Sequence, residues 1–138
     1  MQIEHRPEDY KEIVCDVLAY PVFEEETRGT SLESLNRTTR GAVNAVLSSG
    51  EFKPELYRTC RIFKPAGLKA RSLLLLGAGK KSELDPARLR ETAGAAVRSA
   101  KQAAAKTVAF LCRNANPANL AARAVAEGAL YGNYESDI

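Results

Sequence analysis

One stretch constrains the fold of this chain more than any other. Ser72 to Leu76 (SLLLL) is a short, almost wholly apolar run, followed by Gly77-Ala78-Gly79-Lys80 and then by Asp85-Pro86. Such a run ending in glycine suits a central strand covered on both faces. Asp85 can cap a helix and Pro86 fits its first turn, where a missing N–H leaves no bond unmade. The helix is expected to reach about Ala105, with Leu89, Ala93, Ala96, Val97 and Ala100 on its buried face. That face is mostly alanine, so the helix can lie close to a neighbouring element.

The rest of the chain repeats this strand-and-helix alternation. Gln2 to His5 can form a short first strand, and Ile13 to Phe23 (IVCDVLAYPVF) is rich in β-branched and aromatic residues. It reads as a strand that Pro21 ends or pushes to an edge. The acidic run Glu24-Glu25-Glu26 before Gly29 is expected to be a solvated loop. Thr30 and Glu33 have capping-box spacing, and Leu32, Leu35, Thr39, Ala42, Val43, Val46 and Leu47 form one stripe at helical steps. This predicts a single helix stopped by Gly50. Leu56 to Phe63 (LYRTCRIF) alternates like a half-exposed strand, with a turn at Pro65 and Gly67. Thr107 to Leu111 is another buried strand, and Asn116-Pro117 starts a last helix that Gly132 can stop. Strands and helices alternating in this way indicate an α/β sandwich with a substantially parallel sheet. At 138 residues the chain has the length of one domain.

The inventory of reactive side chains is poor. Cys15, Cys60 and Cys112 are widely separated, form no CxxC pair, and read as reduced thiols. His5 is the single histidine, too little for a zinc site of the usual ligand sets or for a nucleophile–histidine triad. Ser31, Ser34, Thr38 and Thr39 are hydroxyls near the first helix without a base, which suits capping better than nucleophilic attack. We therefore expect no catalytic residue and no metal ligand in this chain.

Open-sheet α/β folds place ligands beyond the carboxyl ends of their strands, which directs attention to Gly77-Ala78-Gly79-Lys80-Lys81-Ser82. The sequence is not a P-loop: Leu74 occupies the position of its first glycine, and Lys81 separates Lys80 from Ser82. Nor is it a dinucleotide fingerprint, because Ser82 stands where the third glycine belongs. A tight turn explains both glycines without a ligand. Gly77, Gly79 and Lys80 remain the candidates for binding a nucleotide.

Charge is unevenly placed. The net charge is +3, yet residues 1–26 carry −6 and residues 53–123 carry +11. A basic region can serve nucleic acid by neutralising phosphates. Arg88, Arg90, Arg98, Lys101 and Lys106 are spread along one helix that needs a solvated face anyway, and no aromatic side chains are interleaved for base stacking. The charge of this region alone admits DNA as a partner. No apolar run is long enough to span a bilayer and no secretory signal is evident, so a cytoplasmic location is expected.

Four segments, read in order, resemble the N-terminal domain of the leucine aminopeptidase (cytosol aminopeptidase) family of two-metal exopeptidases. They are Leu32 to Leu47 with Ser49-Gly50-Glu51-Phe52-Lys53, the strand and turn from Arg71 to Lys80, the Ala/Gly-rich stretch Leu89 to Ala96, and Ala126 to Tyr134 (AEGALYGNY). Pro54-Glu55 departs from the Gly-rich continuation usual after Phe-Lys, and Ser136-Asp137 stands where Phe-Asp is common.

The resemblance implies a macro-domain-like three-layer α/β sandwich, with a mixed, largely parallel sheet between helices. It implies one domain over residues 1–132, residues 133–138 beginning a linker, and a catalytic domain beyond them. That later domain would carry the two divalent ions, zinc or manganese, with their carboxylate and lysine ligands. It further implies homo-hexamers, and partners comprising the catalytic domain and, in some members, DNA. The alternatives are a macro-type module binding ADP-ribose or another nucleotide at Gly77, Gly79 and Lys80, or a DNA-binding domain.

Overall fold

The computed structural model describes residues 9–28 and 32–111. Four strands, β1 (Val17–Val22), β2 (Thr59–Phe63), β3 (Ser72–Gly77) and β4 (Val108–Phe110), form one sheet in the order β2-β3-β1-β4. Helices α1 (Glu33–Thr38), α2 (Ala42–Ser48) and α3 (Pro86–Gln102) complete the described fold, with short 3-10 turns between them. β1 is parallel to both β3 and β4, whereas β2 runs antiparallel to β3. The protein has an α/β fold with a mixed, mostly parallel sheet.

The period of two along a strand divides the core into two layers. Leu18, Tyr20 and Val22 of β1 and Leu73 and Leu75 of β3 pack with Leu32, Leu35 and Val43 on the α1–α2 side. Val17, Ala19, Leu74 and Leu76 pack instead with Ala96 and Ala100 of α3. Helices therefore cover both faces, and all six residues of β1 and of β3 are buried. The apolar run at 72–76 is the central strand its composition suggests, and Asp85 caps α3 by accepting the Arg88 N–H at 2.7 Å.

Several expectations need correction. The strand sought over Ile13–Phe23 begins only at Val17, and Pro21 lies in an interior strand, opposite Leu76. It is tolerated because the β1–β4 register stops at Ala19↔Phe110, so no described ladder bond requires a Pro21 N–H. The helix expected to run unbroken to Gly50 is two helices. Arg40 at φ 57° and Gly41 at φ 88° separate them. The Gly41 N–H donates to the Asn36 carbonyl at 2.8 Å and the Arg40 N–H to the Arg37 carbonyl at 3.2 Å, a Schellman closure with arginine in the left-handed seat. α3 ends by the same device at Ala104 (φ 59°), a turn before the expected limit, with the Ala105 N–H on the Ala100 carbonyl.

The acidic run 24–26 is not a solvated loop. It opens a 3-10 helix, Glu24–Arg28, in which Glu26 is only 3% exposed and accepts the Phe23 N–H at 2.9 Å. The strands sought at Leu56–Phe63 and Thr107–Leu111 are the shorter β2 and β4. The Gln2–His5 strand, the Thr30 cap, Cys112, the last helix and the segment 133–138 lie outside the described residues.

Candidate functional site

The turn after β3 is held by the chain on every side. Gly77 is required by a close approach: a Cβ there would lie 1.8 Å from the Glu55 carbonyl oxygen. Gly79 is required by its left-handed backbone, φ 73°. The two glycines thus answer two different steric demands.

Backbone donors around the turn are already engaged. The Gly77 N–H donates to the Arg58 carbonyl at 2.8 Å, Ala78 to Val22 at 2.9 Å, and Gly79 to Pro54 at 3.3 Å. The Lys81 N–H, at the start of the 3-10 helix Lys81–Glu83, donates to the Glu25 carboxylate at 2.8 Å. A carboxylate of the chain itself therefore sits where a phosphate would meet that N–H. In the opposite direction, the Gly79 carbonyl accepts from Glu24 and the Gly77 carbonyl from Tyr57.

What remains for a ligand at this end is side-chain charge. Lys80 is exposed on the turn. Arg88, one turn into α3, places Nη1 beside Gly79, and that buried nitrogen lacks a hydrogen-bond partner. Its Nη2 lies 3.8 Å from Glu83. Tyr57 flanks the turn with a left-handed backbone (φ 64°), and its hydroxyl donates to Glu91. Partial burial, aided by the Glu91 carboxylate, raises the Tyr57 pKa above the ordinary phenol value. The structure thus brings Gly77, Gly79 and Lys80 together at the carboxyl end of the sheet. It adds Arg88, Tyr57 and Glu25, which sequence spacing does not connect to them.

Other candidate chemistry is dispersed. Among the described residues, no three His, Cys, Asp or Glu side chains converge as a metal site. Cys15 is buried and Cys60 half-buried, and desolvation raises both thiol pKa values. The basic residues of α3 do not form one free stripe, since Arg88, Arg98 and Lys101 are partly buried and Arg90, Arg98 and Lys101 have partners within the chain. No described helix is long and apolar enough to cross a membrane.

Residues 19–138 match the model of the cytosol aminopeptidase family, N-terminal domain. A probable cytosol aminopeptidase of Acidobacterium capsulatum is 36% identical over 121 residues, which is 86% of this chain and 22% of that protein. One of Solibacter usitatus is 31% identical over 137 residues, 99% of this chain and 26% of its own length. Among solved structures, a tomato leucine aminopeptidase mutant superposes with a TM-score of 0.72 at 20% identity, covering 91% of this chain and 26% of that one. The bottromycin maturation enzyme BotP gives 0.59 at 25% identity, covering 86% and 23%. The chain spans about a quarter of the length of these relatives. With nearly the whole sequence matched in order, the chain belongs to the cytosol aminopeptidase family, as its N-terminal domain.

Proposed function

We propose that this chain is the non-catalytic N-terminal domain of a leucyl-aminopeptidase-type exopeptidase that removes N-terminal residues from peptides. The observation that carries the reading is the family match over residues 19–138, taken with relatives about four times as long. Residues 1–132 form the domain, and 133–138 begin the linker to a catalytic domain. The work of the domain is to pack on that partner, contribute to homo-hexamer assembly and restrict access to the active sites in the cytoplasm.

The two divalent ions of the parent enzyme belong to the catalytic domain in this reading. The described residues do not fit them: two-metal hydrolysis needs several carboxylates converging on ions ~3.5–4 Å apart, and no such cluster is present among them. The purified 138-residue chain should therefore release no amino acid from leucine p-nitroanilide with added zinc or manganese. Metal-dependent turnover by the isolated chain would refute the proposal.

A second reading rests on the partnerless Arg88 Nη1 beside Gly79. There Gly77, Gly79 and Lys80 form a macro-type site for the diphosphate of ADP-ribose. Calorimetric titration decides it, since micromolar binding lost in Lys80→Ala supports this reading and silence at millimolar ligand rejects it.

A further inference from the structure

The opposite end of the sheet has a feature unconnected with that turn. Asp16 precedes and Val17 opens β1, Arg71 precedes and Ser72 opens β3, Arg61 lies in the middle of β2 and Phe63 ends it, and residues 103–106 lie between α3 and β4. Together they line a groove of about 470 Å³, within the range of small-molecule sites. It lies at the amino ends of the parallel strands, the end that open α/β sheets seldom use.

The backbone of this region is largely self-satisfied. The Lys106 and Thr107 N–H groups donate to the Asp16 carboxylate at 2.8 and 3.2 Å, and the Ser72 N–H donates to the Asp16 carbonyl. The Lys106 N–H first, and with it the Thr107 N–H, holds the Asp16 carboxyl below its ordinary pKa, so it is ionised at neutral pH. Affinity for a ligand must therefore come from side chains. Arg61 gives one guanidinium N–H to the Ser99 carbonyl at 3.4 Å, while its buried Nε has no partner. An orphaned buried donor on a cation is costly unless something accepts from it. Arg71 touches Asp16 only at 3.8 Å and is otherwise open to solvent, and Lys106 is exposed.

Three cations against one carboxylate leave the groove with two positive charges in excess. A phosphate monoester, a dianion near neutral pH, balances that charge; a carboxylate leaves half of it uncompensated. Phe63 adds a second recognition element. Its ring is 71% exposed beside the groove, and the Arg61 guanidinium carbon lies 5.8 Å from the ring centroid. An exposed aromatic next to arginine is a stacking surface for a planar ring.

We propose that this groove binds a small phosphate monoester bearing a planar ring, with Arg61, Arg71 and Lys106 holding the phosphate and Phe63 stacking the ring. Binding is non-covalent, and the site works independently of Gly77, Gly79 and Lys80.

The test is titration of the full 138-residue chain with adenosine monophosphate, inorganic phosphate, adenosine and a polyglutamate peptide at low salt, followed by calorimetry. Adenosine monophosphate should bind at least about tenfold more tightly than any of the other three. Arg61→Gln should weaken it by about tenfold or more, and Arg71→Gln, an exposed position that leaves the fold intact, should do so in part. Phe63→Ala should reduce adenosine monophosphate to the affinity of inorganic phosphate, and Arg37→Gln, which removes an exposed cation on α1, should change nothing. Silence at millimolar adenosine monophosphate overturns the proposal, as does loss in Lys80→Ala with retention in both Arg61→Gln and Arg71→Gln. An undiminished affinity in Phe63→Ala, or preference for polyglutamate, overturns it equally.

Discussion

The Asp16 carboxylate accepts the backbone N–H of Lys106 at 2.8 Å across ninety residues of sequence. The Thr107 hydroxyl accepts the Asp16 N–H at 2.8 Å in return. This pair ties the start of β1 to the loop before β4, a strand of only three residues. So short a strand has few ladder bonds to set its register, and the Asp16 clamp supplies what they do not.

Acid should loosen this clamp. The Asp16 carboxyl is lowered from 3.8 mainly by the Lys106 N–H. A depressed carboxyl stabilises the fold above its unfolded value and loses that contribution as pH falls through the lower, folded value. The melting temperature should therefore drop on acidification below 3.8, and part of the drop should be missing in Asp16→Asn, which is less stable at neutral pH. Parallel pH profiles for the two proteins would show that the carboxylate contributes nothing.

Gly77 and Gly50 separate two steric effects. Alanine at Gly77 meets the Glu55 carbonyl oxygen and must push the 54–55 segment off the sheet. The expected loss is about 3 kcal/mol, the upper range for overpacking. Alanine at Gly50 meets nothing within 4 Å and carries only the left-handed backbone at φ 79°. About 1 kcal/mol is expected there. Urea midpoints for the two variants measure the difference, and equal losses would contradict the close approach at Gly77.

α3 offers a matched pair. Ala96 is fully buried against Leu74, Leu76 and Ala19, whereas Ala87 is exposed on the same helix. Ala96→Leu should destabilise by roughly 1–3 kcal/mol through overpacking, and Ala87→Leu should fall within about 0.5 kcal/mol of wild type. A tolerated leucine at 96 would mean that α3 does not lie close on the sheet.

Thiol labelling reports the core directly. Burial raises the pKa of both Cys15 and Cys60, so neither is a ready thiolate at pH 8 or below. Iodoacetamide should modify Cys60, which is half-buried, before Cys15, which is 7% exposed. Both should react quickly in denaturant. Peptide mass spectrometry reads the order, and early labelling of Cys15 would place it outside the core.

Much of the architecture is legible in local chemistry. The run at 72–76 requires burial on both faces, the Asp85-Pro86 pair starts α3, and the alanines at 93, 96 and 100 show which side of α3 meets the sheet. These signals are local because capping, φ restriction and side-chain period act within a few residues. The stop at Gly50, φ 79°, was legible from its glycine, but the ends of α1 and α3 were not. Arg40 and Ala104 take the left-handed position usually given to glycine, so no residue type marks either stop.

Tertiary structure alone decided the rest. Glu26 reads as a solvated acid, yet the turn after β1 buries it and gives it the Phe23 N–H. Pro21 reads as an edge residue, yet it stands inside the sheet because β4 pairs only with the first half of β1. The groove at the amino ends gathers Asp16, Arg61, Phe63, Arg71 and Lys106 from four separate segments. Linear spacing carries capping and periodicity, but which polar atoms are buried and which charges meet depends on strand order and register, and those are set only when distant segments pack.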